Sequence, residues 1–175
     1  MSENKKRLID FDEDIINKLY DTAIAIRNEN YDNPNNKTLF SSVDQRIATA
    51  DAAMHIAYLL TELKDKVLVV NLDSSSTSIV EEYIHSKSKP NLFTTLKTSM
   101  FLSEAINQSK YEKLDVIHVE ELTVDELMEK FSQYNVMSKL GPLKNYYNHI
   151  FIIGPEFQEM RNYGVILELA DSAVT

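Results

Sequence analysis

Two kinds of apolar pattern alternate along the chain, and the alternation predicts the fold. Lys66–Asp73 (KVLVVNLD), Leu114–Val119 (LDVIHV) and His149–Ile153 (HIFII) carry nearly unbroken apolar, largely β-branched runs, as a parallel strand covered on both faces requires. Thr38–Ser42 is a shorter strand of the same kind. Between them, apolar residues recur three and four apart, the period of an amphipathic helix. Asp14–Asn28 has Ile15, Ile16, Leu19, Ala23 and Ile26 at that spacing, and Ala50–Leu63 has Ala53, Ile56, Ala57 and Leu60. Ser74 or Ser75 caps a helix over Thr77–His85, and Asn91–Leu96 and Met100–Asn107 read as short helical pieces. Thr123 opens a capping box with Glu126, ahead of a helix through Phe131. Further helices are expected over Val136–Tyr147 and Tyr163–Ala170, and Ala173–Thr175 reads as the start of a fifth strand. Asn28–Lys37 (NENYDNPNNK) is a linker whose Asn-Pro pair stops the first helix. The expectation is an α/β three-layer sandwich, with a mainly parallel sheet and helices on both faces. Residues 1–37 would form an N-terminal helix and linker, and 38–175 the α/β domain.

Composition narrows the classes. At 175 residues the chain is one domain's worth, enough to bury roughly two thirds of its unfolded surface. Cysteine is absent, which excludes disulfides and thiolate metal sites and fits a reducing compartment. The basic cluster Lys5, Lys6, Arg7 precedes no apolar stretch of signal-peptide length, and the apolar runs are too short to span a bilayer. A cytoplasmic protein without direct membrane insertion is expected. The net charge of -9 opposes sequence-independent binding of nucleic acid or an anionic membrane.

In a parallel sheet, ligands bind beyond the carboxyl ends of the strands. The stretch Thr38–Leu60, strand then turn then apolar helix, sits where a phosphate-binding loop would sit. Such a loop needs glycines for close approach and a lysine for charge, and Val43–Ala50 has neither. The order of KVLVVNLD, PNLFTTL, KLDVIHV, TVDELM and NHIFIIGP nevertheless resembles the bacterial tyrosine kinases of capsule and exopolysaccharide synthesis, over about Leu19 to Thr175. That family is a branch of the P-loop group that also holds partitioning and division-site ATPases. The resemblance implies a degenerate P-loop NTPase-like fold. Across SSVDQRIATAD, Arg46 and Ala48 fall at glycine places, Thr49 at the lysine, and Ala50 and Asp51 at the hydroxyl pair. The family's paired aspartates after the second strand become Asn71-Leu72-Asp73, and its later strand-end aspartate falls at Gly154. Its subunit-packing Glu and two Arg align with Asp21, Ile24 and Arg27. The family continues some tens of residues past Thr175, so the chain resembles a domain cut short. A triphosphate near Asp44 and Asp51 without a lysine would meet about 4 kcal/mol of repulsion per close charge pair at an effective dielectric near 20.

Other candidates have plainer readings beside the chemical one. Thr49, Asp51 and Asp73 form an oxygen set that could hold a metal, although a carboxylate at a helix start more often caps it. His55, His118 and His149 lie on apolar elements and read as core histidines. Glu120-Glu121 and Asp125-Glu126 flank the capping box and read as a solvated helix start. The adjacent Tyr146-Tyr147 pair precedes a core strand and reads as packing, and the Ser74–Ser78 run as a helix cap. Two functions follow from the resemblance. One is a catalytically inactive scaffold or regulator, binding no cofactor. It would act through protein contacts on a membrane-bound polysaccharide-synthesis adaptor or on itself, with Asp21 and Arg27 as contact residues. The other is an atypical ATP-binding tyrosine kinase or ATPase, with Arg46 replacing the lysine and Asp73 holding magnesium.

Overall fold

A computed structural model of the chain describes residues 12–43, 46–84, 91–98, 101–160 and 170–174. The apolar runs form the middle of a six-stranded sheet. In chain order its strands are β1 (Lys37–Phe40), β2 (Val67–Asn71), β3 (Asn107–Gln108), β4 (Leu114–Ile117), β5 (His149–Ile153) and β6 (Ser172–Val174). The spatial order is β3-β4-β2-β5-β1-β6. Every pairing is parallel except that of β3 with β4. β2 and β5 are buried along their whole length, in register from Val67 opposite His149 to Asn71 opposite Ile153.

Alternate residues of these strands feed two separate cores. Val67, Val69, Phe151 and Ile153 pack under α1 (Glu13–Asn30), α2 (Arg46–Glu62) and α3 (Thr77–Glu81). Leu68, Val70, Ile150 and Ile152 pack under α4 (Leu92–Lys97), α5 (Val124–Gln133) and α6 (Val136–Leu140). A last short helix, α7, covers Phe157–Met160. The three-layer α/β sandwich expected from the sequence is the observed one. No described helix is long and apolar enough to cross a membrane.

The sequence pattern misplaces some elements, each for a local reason. Met100–Asn107 is not helical throughout. It holds a 3-10 turn at Leu102–Ala105 and then enters β3, where Asn107 Nδ2 donates to the Ala105 and Val116 carbonyls. The apolar pair Leu102 and Ala105, three apart, suits a 3-10 turn as well as an α-helix. The helix expected over Val136–Tyr147 ends at Leu140, because Pro142 lacks the amide a continuing helix needs, and a 3-10 segment covers Gly141–Asn145. The strand expected from Ala173 begins at Ser172 and pairs with β1 at the outer edge of the described sheet. The helix expected over Tyr163–Ala170 lies outside the described residues except for Ala170.

α1 begins at Asp12, whose carboxylate accepts from the Ile15 amide. Leu19, Ala23 and Ile26 form its inner stripe and share a core with α2. Ile15, Ile16 and Tyr20 stay 40%, 39% and 46% exposed.

The helix is also secured by polar contacts at the amino ends of the strands. Buried His149 receives Asn30 Nδ2 at its Nδ1 (2.9 Å) and donates from Nε2 to Asp65 Oδ2 (2.9 Å). The same oxygen accepts from Arg27 Nε at 3.0 Å. Nearby, Asn148 Oδ1 accepts from the Lys66 amide, and Asn36 Nδ2 donates to the Tyr147 carbonyl. Burial pushes the His149 imidazole below its ordinary 6.5, and the Arg27 charge adds to this while Asp65 opposes it. As pH falls the unfolded chain therefore takes up this proton before the folded one. The stabilisation is complete above 6.5 and lost as pH drops through the lower folded value. Urea unfolding between roughly pH 5 and 7 is expected to show stability rising with pH, and His149→Gln is expected to flatten that slope.

Candidate functional site

The strand ends where a ligand site of this fold belongs are drawn together by backbone and hydroxyl contacts. After β1, the Ser41 hydroxyl donates to the Pro155 carbonyl (2.9 Å), and the Ser42 carbonyl accepts from the Phe157 amide (2.8 Å). After β5, the Gly154 amide donates to the Phe40 carbonyl (2.9 Å). Gly154, where the resemblance places a metal-handling carboxylate, brings no side chain.

At the end of β2, Asp73 caps the 3-10 turn Ser74–Ser76. Its Oδ1 accepts from the Ser75 amide (3.2 Å) and hydroxyl (2.8 Å), and its Oδ2 accepts from the Ser76 hydroxyl (2.7 Å). With 3% of its surface exposed, the carboxylate is taken up by its own turn. Asn71 Oδ1 accepts from the Asp73 amide (3.1 Å), while its Nδ2 has no partner among the described residues. His118 Nδ1 and Ser42 Oγ are likewise buried and unpaired there.

The segment aligned with the phosphate loop is partly helix. α2 starts at Arg46, earlier than the expected Ala50, so Arg46, Ala48 and Thr49 belong to its first turn. From Ala50 onward its amides serve the helix. The side chains of Arg46 and Ala48 lie outside the described set. Thr49 is half-buried, and Asp51 is buried and close enough to Tyr83 that its charge joins burial in pushing that phenol up. Of the candidate oxygen set, Asp73 is engaged by its own serines and the charge of Asp51 acts on Tyr83. Among the described residues, no group of three His, Asp or Glu converges as a metal site.

Beside Asp73 opens a cavity of about 240 Å³ bounded by Leu122, Leu127, Pro155 and Glu159, and a second of about 280 Å³ reaches Ser75, Glu121 and Glu126. No described Lys or Arg lines either one. A phosphate group placed in either cavity would meet carboxylates and no described Lys or Arg.

The remaining candidates have structural partners. Thr123 Oγ1 accepts from the Glu126 amide and Glu126 Oε2 from the Thr123 amide, completing the capping box, and Glu120 pairs with Lys130 at 3.4 Å. His55 is buried, which lowers its pKa. The Tyr146-Tyr147 pair is split: Tyr147 is buried and donates to Asp115 Oδ2 (2.8 Å), while Tyr146 is 69% exposed. On α1, Asp21 is exposed, and Arg27 is turned onto Asp65 of its own domain. Sequence reasoning missed Asp65 and Asn30, whose partner His149 lies 84 and 119 residues away. No pattern in the sequence linked them.

A mostly parallel sheet in this strand order, with helices on both faces, is a three-layer α/β fold. Within that class the fold is shared with bacterial tyrosine kinase domains. The BceF tyrosine kinase domain superposes with a TM-score of 0.71 at 17% identity, covering 90% of this chain and 62% of that one. The kinase domain of the Escherichia coli tyrosine kinase ETK gives 0.73 at 12% identity, covering 90% and 61%. The septum site-determining protein MinD from Pyrococcus horikoshii, complexed with Mg-ADP, gives 0.58 at 18% identity, covering 78% and 55%. The chain thus spans about three fifths of the length of the two kinase domains. No protein-family model and no curated protein matches the sequence.

The hydrogen bonds of Asp73 predict a stability effect. Asp73→Ala is expected to cost about 1–2 kcal/mol in urea unfolding, since it removes a cap and leaves buried hydroxyls unpaired. Asp73→Asn, which keeps one acceptor oxygen, is expected to cost less.

Proposed function

We propose that the chain is a catalytically inactive kinase-like protein, acting as a scaffold or regulator through protein contacts in capsule or exopolysaccharide synthesis. The observation that supports this best is the state of the carboxyl edge. Asp73 is bound by its own serines, Gly154 offers no carboxylate, and the cavities there are lined by acids without a described cation. The apolar framework, by contrast, is complete in both cores. Retained shape with lost chemistry is expected where contacts matter and turnover does not.

The likeness to kinase domains supplies the pathway in this reading, and the first helix supplies the surface. Ile15, Ile16 and Tyr20 form an outward apolar stripe beside exposed Asp21. Its partner would be a membrane-bound polysaccharide-synthesis adaptor on the cytoplasmic side, or a second copy of the chain. Arg27 contributes less than Asp21, because moving it to a partner would break its pair with Asp65.

Calorimetry with ATP and magnesium tests the inactive reading. Affinity weaker than about 100 micromolar is expected, and Ala48→Gly with Thr49→Lys is expected not to restore turnover, because Gly154 still lacks a carboxylate. Phosphorylation of a tyrosine substrate by the purified chain would overturn it. The surface has its own test. Ile16→Asp with Asp21→Arg is expected to abolish self-association in sedimentation, or capture of the adaptor, without lowering thermal stability. A strict monomer whose adaptor capture is unchanged by the pair would remove α1 as the contact surface.

A further inference from the structure

At the opposite end of the sheet from the vestigial site, a cleft of about 770 Å³ opens between the 3-10 turn at Leu102–Ala105 and the α6 segment. Its floor is apolar and buried: Leu102, Leu143 and Tyr147 are 6%, 9% and 8% exposed. The hydroxyl of Tyr147 is held by Asp115, which fixes the ring. Two aromatic rings, Phe101 and Tyr146, stand at its sides. Two cations border it, Lys66 and Lys139, with Lys66 Nζ 4.9 Å from the centre of the Tyr147 ring.

Its charge runs against that of the molecule. The chain has 27 acidic and 18 basic residues, yet no Asp or Glu lines this cleft among the described residues. Concave sites of about 300–1,000 Å³, mainly apolar with a few placed polar groups, are typical of small-molecule binding. A purely apolar occupant would make no use of the lysines, and a polar anion would gain nothing from the floor. A molecule with both parts uses each: its chain or ring covers Leu102, Leu143 and Tyr147, and its acid group meets the ammonium ions in a part-desolvated setting where the attraction is stronger than in water.

We propose that this cleft binds a soluble amphiphilic anion, an acyl or aromatic body carrying a carboxylate or a comparable acid group. The inference is independent of the scaffold reading and of the nucleotide edge, because the cleft shares no lining residue with either.

Fluorescence titration of the whole chain with anilinonaphthalene sulfonate, an aromatic anion, tests it against N-phenylnaphthylamine, its neutral counterpart. One saturable sulfonate site per chain is expected, displaced by monomeric dodecanoate. Lys66→Glu with Lys139→Glu is expected to weaken the sulfonate by roughly tenfold or more while leaving the neutral probe nearly unchanged. Tyr146→Ala, at an exposed position that does not challenge folding, is expected to weaken both probes. The proposal fails if no saturable site appears, or if charge reversal leaves the sulfonate unaffected or weakens both probes alike. It also fails if the chain sediments with phosphatidylglycerol vesicles while dodecanoate displaces nothing, since the occupant would then be a bilayer surface.

Discussion

The structure depends on one constraint: β2 and β5 lie side by side with both faces covered, so each of their backbone amides and carbonyls must be met by a neighbouring strand. An unpaired buried group there costs about 1–3 kcal/mol, and parallel pairing across the centre avoids that cost. The same burial creates a problem of register. In a sheet with one wet face, a one-residue slip turns polar side chains inward and is rejected. Here both faces are apolar, and the pattern alone would tolerate a slip. The polar contacts at the amino ends supply the missing discrimination. Asn148 holds the Lys66 amide, Asn36 holds the Tyr147 carbonyl, and His149 is fixed between Asp65 and Asn30. Shifting β5 by one residue would break this set at once.

The two ends of the sheet differ in degree, since Asn36 Oδ1 at the amino end is also buried without a partner among the described residues. At the amino end, nearby polar groups close on one another and fix geometry. At the carboxyl end, Ser42 Oγ, Asn71 Nδ2 and His118 Nδ1 are buried without partners among the described residues, even though Asp73 is engaged by its own turn. Unpaired buried groups of this sort are uncommon in settled structure, and these three follow or end β1, β2 and β4, along the edge where this fold class places its ligands. The edge keeps buried polar atoms that serve no described fold contact.

Much of the architecture was legible in the sequence because it rests on local signals. The runs KVLVVNLD, LDVIHV and HIFII state strand, burial and parallel pairing together, and the Thr123 capping box appears in the structure as read. β3 was not legible, because two residues carry no periodicity and its pairing depends on Asn107 reaching a carbonyl nine residues away. The break at Gly141-Pro142 was legible in principle from proline's missing amide, but the apolar spacing on either side concealed it. At the site, the sequence alone named the positions where the resemblance expects motif residues. It could not show that Asp73 would turn to Ser75 and Ser76 instead of outward, since that depends on the 3-10 geometry after β2. The apolar cleft was not legible either, since Lys66, Leu102 and Leu143 meet only through the folded sheet.

The contact between Asn30 and His149 has a further consequence, which concerns the path by which the chain folds. The pair is separated by 119 residues, and closing a loop of that length costs about 4 kcal/mol of chain entropy, before any constant, by the logarithmic law. α1 can wind locally from its Asp12 cap and meet α2 and Asp65 through Ile26 and Arg27, but its final residue Asn30 gains its partner only when β5 has joined the sheet beside β2. The end of the helix is therefore among the last points to be secured. Until β5 arrives, the apolar residues that α2 presents to it stay open to wrong associations.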